Sequence, residues 1–140
     1  MSTPLSSGQQ AVLDGAVRFV RDQAGRVAET DRPTVDPPEA AFGTPFGLGY
    51  LFGAVDALCQ ANGVAFDGMA LAIFALTLDQ AVGRPADALR RQALDLEAAG
   101  DADFARGRRW GGNEAAGWAR GQHEPVGLVH LAHGDEHRMR

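Results

Sequence analysis

The chain has 140 residues, 45% of them hydrophobic, and a net charge of −5, which bounds it as one domain large enough to bury a real core. Residues 1–83 hold four Arg and nine acids, and residues 84–140 hold nine of each, so neither part carries the basic footprint of a nucleic-acid binder. There is no lysine, and serine occurs only at positions 2, 6 and 7. That excludes a Schiff-base or phosphate-loop lysine and a serine nucleophile within the folded body. The richness in Ala, Gly and Arg fits a GC-rich bacterial genome. A single cysteine, Cys59, cannot form an internal disulfide and fits a reducing compartment. The first residues show no basic stretch followed by an apolar one, so no secretory signal is expected and the cytoplasm is the default location.

In chain order, Ser6 or Ser7 begins the first helix, with Gln9 or Gln10 as the reciprocal capping partner. Leu13, Val17, Val20, Ala24 and Val27 form one stripe, widened by Val12, Ala16 and Phe19. This predicts an amphipathic helix over roughly 8–29 whose face covers the centre of the fold. Residues 30–45 are rich in proline (Pro33, Pro37, Pro38, Pro45) and are expected to cross the surface as an extended strap.

Residues 44–83 hold the hydrophobic weight. Thr44 and Pro45 are a helix start. Leu48, Leu51, Phe52, Val55, Leu58 and Cys59 follow at helical spacing. Gly49, Gly53, Ala57 and Ala61 form a second row at four-residue steps, which lets another helix approach closely and offsets the roughly 1 kcal/mol that a helical glycine costs. Asp67 caps a second run, Met69–Leu78, apolar on nearly every face and therefore expected at the centre of the fold. Gly83 is the expected stop. Neither run reaches the roughly 20 apolar residues of a membrane span, and Asp56, Gln60, Asn62, Asp67 and Asp79 interrupt them. The two runs read as a buried helical hairpin.

Pro85 opens another helix, with Ala86, Leu89, Ala93 and Leu96 on its inner face and Leu94 off it. Gly100 ends it, and Asp101 caps the next, which carries Phe104 and reaches about Trp110. Gly111 and Gly112 are expected to break or bend the chain, and Asn113 to cap a further piece through Trp118. Val126–Leu131 reads as a last short helix and 133–140 as a polar tail. The fold class is all-α: a single compact bundle of five to six helices, 1–140, around the hairpin at 44–83.

Few residues offer chemistry. His130, His133 and His137 would share a face of a continuous helix and hold zinc or nickel; the plainer alternative is a frayed tail. Arg106, Arg108 and Arg109 beside Trp110 form a candidate grip on an anion or an acidic partner surface, or else a solvated face with the indole packed inward. Asp56 and Asp79, set in apolar helices, are a general acid or base, or else sit at the helix rim or in ion pairs with an arginine of the first helix or Arg84. Tyr50 lines a groove in the partner-binding set, or packs with its hydroxyl at the surface. Cys59 is a core residue. No catalytic set and no cofactor is expected. The reading that follows is a non-enzymatic helical module that binds another protein or itself. The alternative is a ligand- or metal-binding helical protein using the C-terminal histidines or a buried carboxylate.

Overall fold

The computed structural model describes residues 5–29, 42–82, 86–122 and 124–127, without the side chains of residues 27–29 and 82. Its elements are α1 (Ser7–Glu29), α2 (Pro45–Ala61), α3 (Gly68–Thr77) running into a π turn (Leu78–Val82), α4 (Ala86–Ala99) and α5 (Ala102–Ala119), with no strand among the described residues. The expected all-α bundle is the fold observed. Of the strap expected over 30–45, residues 30–41 lie outside the described residues and Pro45 belongs to α2; Gly83, Arg84 and Pro85, most of the last helix expected from Val126 and all of the polar tail also lie outside them.

The local signals act where they were expected. Ser6 and Gln9 cap α1 reciprocally, Ser6 N–H donating to Gln9 Oε1 at 2.8 Å and Gln9 N–H to Ser6 Oγ at 3.1 Å. Thr44 Oγ1 accepts from Gly47 N–H at 3.0 Å, and Pro45 takes the first helical position of α2. Asp67 accepts from Met69 N–H at 2.9 Å and opens α3. Gly100 has φ +67°, and the chain turns there with Asp101 N–H donating back to Leu96 O at 3.1 Å and Gly100 N–H to Glu97 O at 3.1 Å. That closure needs the left-handed conformation only glycine adopts freely. Asp101 then caps α5 at once, accepting from Phe104 N–H at 2.9 Å.

The packing differs from the expected hairpin. The most buried element is α2, in which every residue from Phe46 to Val55 is buried, and its main partner is α5 rather than α3. Gly107 of α5 lies against the Phe46 carbonyl and Gly111 against that of Tyr50, while Gly49 and Gly53 of α2 lie against the Phe104 and Arg108 carbonyls. Four residues on in one helix is four residues on in the other, so the two run parallel with their backbones in contact. Gly49 and Gly53 of the small-residue row on α2 thus meet a matching pair on α5, while Ala61 at the end of that row is exposed. Because a parallel pair cannot be joined by a short turn, α3, the π turn and α4 supply the return. The Gly111-Gly112 pair does not break the chain: α5 is one helix through both, and Asn113 sits inside it rather than at a cap. The contact with α2 explains this, since it offsets what the glycines lose in helical propensity.

Two aromatic groups flank this pair. Tyr50 stacks on Phe19 at 5.8 Å, and Phe19 meets Trp118 edge-on at 5.4 Å. Phe52 gathers Phe66, Phe74 and Phe104 at 5.1–5.6 Å. Of the α1 stripe, Val12, Leu13, Ala16, Val17, Phe19 and Val20 are buried, as the spacing requires, and Ala24 is half-buried. By contrast α3 buries only Ala70, Ile73, Phe74 and Thr77, leaving Met69, Leu71, Ala72, Ala75 and Leu76 half-buried. Its expected place at the centre belongs to α2. No described helix is long and apolar enough to cross a membrane.

Candidate functional site

The α5 helix organises the polar chemistry. Phe104, Gly107, Gly111, Glu114 and Ala115 are its buried residues facing inward, and one of them, Glu114, is a carboxyl group only 5% exposed. Such a group must be matched by donors. Val126 N–H donates to Glu114 Oε2 at 2.8 Å and Gly127 N–H to Oε1 at 2.9 Å. The Tyr50 hydroxyl donates to the same Oε1. Gln23, fully buried on α1, donates from Nε2 to the Tyr50 oxygen at 3.2 Å. One carboxyl group therefore ties α1, α2, α5 and the segment 126–127 together. Gly127 is the residue that permits this approach, because a Cβ there would fall among the Tyr50 ring atoms and 2.9 Å from Glu114 Oε1. Burial, then the adjacent Glu114 carboxylate, pushes the Tyr50 hydroxyl well above its usual 10.0.

Tyr50 is thus neither groove-lining nor surface-facing: it is fully buried. Glu114, Gln23 and the segment 126–127 were not singled out in the sequence. The available signal was the spacing of Gly107 and Gly111; once that pair is read as a contact face, Glu114, three residues on, falls beside it.

The three arginines separate. Arg108 holds Glu97 at 2.9 Å and Asp56 at 3.6 Å, with its guanidinium 5.0 Å from the Phe52 ring centroid. The expected ion pair of Asp56 exists, but its partner comes from α5 rather than α1 or Arg84, because the α2–α5 contact brings Arg108 across. Asp56 also borders a shallow hollow of about 380 Å³ with Arg108 and Arg109. Since all three groups are partly exposed, replacing Arg108 with leucine is expected to cost only about 1 kcal/mol, read from urea unfolding. Asp79 is exposed in the π turn, at the rim. Cys59 is buried, and desolvation followed by Asp56 and Asp67 pushes its thiol up to about 11.

Arg106 and Arg109 share a different side of α5. With Trp110, Asn113, Glu114, Glu124 and Val126 they line a groove of about 560 Å³ directly above the Glu114 network. Arg106 contacts Asp103 at 3.3 Å and lies 5.2 Å from the Phe46 ring centroid. Arg26, outside the groove, holds its Glu124 at 3.2 Å and donates to the Pro125 carbonyl.

No group of three or more potential metal ligands occurs among the described residues, and His130, His133 and His137 lie outside them. No protein-family model, curated protein or solved structure matches this chain.

Proposed function

We propose that the chain is a non-enzymatic helical interaction module that associates with a second copy of itself through α3. The observation that carries this reading is the half-buried apolar face of Met69, Leu71, Ala72, Ala75 and Leu76. No charged side chain lies between Gly68 and Leu78, so nothing on this face selects a partner by charge. An apolar face without charge is most simply covered by a second copy of itself across a two-fold axis, the commonest arrangement of a dimer. The hydrogen bonds and ion pair that hold the buried Glu114 and the partly exposed Asp56 also favour structural over catalytic roles for these acids. The cytoplasm, and a partner that is protein rather than nucleic acid, belong to the same reading.

Light scattering behind a sizing column tests it. The full chain is expected at twice its monomer mass, and Ala75→Glu, which places a charge in the middle of the face, at the monomer mass with its helical content retained. A wild-type chain that stays monomeric at its highest soluble concentration, or an Ala75→Glu dimer, overturns the proposal.

A further inference from the structure

We infer that the groove above Glu114 is a binding site for a small planar molecule carrying a carboxylate. The site is independent of whether the chain dimerises.

Its volume of about 560 Å³ lies within the range typical of small-molecule sites, roughly 300–1,000 Å³. The charges within it are unequally satisfied. Both acids already have partners: Glu114 accepts from Tyr50, Val126 and Gly127, and Glu124 pairs with Arg26. The cations are less fully matched, Arg106 being held by Asp103 through one terminal nitrogen at 3.3 Å. Arg106 Nε is buried with no hydrogen-bond acceptor, although a buried donor left unmade is costly. Arg109 is exposed and has no acidic partner among the described residues. Two guanidinium groups with unused donors therefore border one hollow. Guanidinium forks match a carboxylate in shape and charge. Between them and Val126 the half-buried Trp110 supplies an apolar wall suited to a flat body. The combination asks for one anionic end and one planar apolar end. Arg108 takes no part, being held by Glu97 and Asp56 on another side of the helix.

The test is a titration of the full-length ¹⁵N-labelled chain with benzoate, benzyl alcohol, acetate and inorganic phosphate. Benzoate is expected to shift the Trp110 indole N–H and the Arg106 Nε–H while leaving the Trp118 indole, which lies under Arg18, in place. Benzyl alcohol, acetate and phosphate are each expected to bind at least about ten-fold more weakly, because each lacks either the charge or the ring. Arg109→Gln, at an exposed position, is expected to weaken benzoate about ten-fold without moving the thermal midpoint. The inference is overturned if benzoate shifts neither resonance, if Arg109→Gln binds it as well as wild type, or if acetate or phosphate matches it.

Discussion

Gly111→Ala is expected to lower the unfolding free energy by about 3 kcal/mol, a large part of the roughly 5–15 kcal/mol that holds a domain of this kind together. The added methyl group falls onto the Tyr50 carbonyl and 2.9 Å from Tyr50 Cα. These are backbone atoms of the most buried helix, so they cannot turn aside as a side chain would. The two helices must separate, and the aromatic contacts of Tyr50 and Phe52 loosen with them. Gly53→Ala is expected to act alike, since its methyl would meet Arg108 Cα at 3.0 Å. The gain in helical propensity, about 1 kcal/mol, is included in that net figure. Gly25→Ala is the control. Gly25 lies in α1 with nothing within 4 Å of an added Cβ, and the same change there is expected to stabilise by about 0.5–1 kcal/mol. Urea unfolding of the three variants reads both signs. A neutral Gly111→Ala would mean that α2 and α5 are not in backbone contact.

Removing the Glu114 carboxyl group is expected to cost about as much. Glu114→Ala removes the acceptor of the Val126 and Gly127 N–H groups and leaves the Tyr50 hydroxyl with Gln23 alone, for about 3–5 kcal/mol. The same network makes an alkaline signature. Because burial and Glu114 raise the Tyr50 pKa above 10.0, the folded chain holds that proton at pH values where the unfolded chain has released it. The stability from this group is complete below about pH 10 and falls by about 1.4 kcal/mol per pH unit above it, until the folded pKa is passed. Cys59, raised from 9.0 to about 11, adds a loss of the same sign across that interval. The absence of lysine leaves this window unusually clean. Urea midpoints measured between about pH 8 and pH 11 should therefore fall less steeply in Tyr50→Phe than in wild type, and least in Tyr50→Phe combined with Cys59→Ala. Equal slopes in wild type and Tyr50→Phe would show that the hydroxyl is not buried against a carboxylate.

Both predictions turn on the same pair of helices, and only half of that pair was legible in advance. The row Gly49, Gly53, Ala57 and Ala61 announces a close neighbour on α2. Its counterpart in α5, the Gly111-Gly112 pair, is locally ambiguous, because adjacent glycines suit a break or bend as well as a tight interface. Context decides between them, and that context is the other helix. The displacement of α3 from the centre has the same origin. Its residues are apolar all round, yet α5 rather than α3 is the main partner of α2, so one face of α3 stays half-buried.

From its residues alone this chain determined where most of its described helices begin and where the turn at Gly100 falls. Ser6, Thr44, Asp67, Gly100 and Asp101 act on backbone groups within one turn of themselves, and the stripes of α1 and α4 follow from a 3.6-residue period. Tertiary structure decided the partners. Tyr50 and Glu114 stand 64 positions apart, and Arg108 reaches Asp56 only because α5 lies parallel to α2. Such meetings depend on which helix faces share a register. That is a property of the packed whole, set by how closely two rows of glycine allow their backbones to approach.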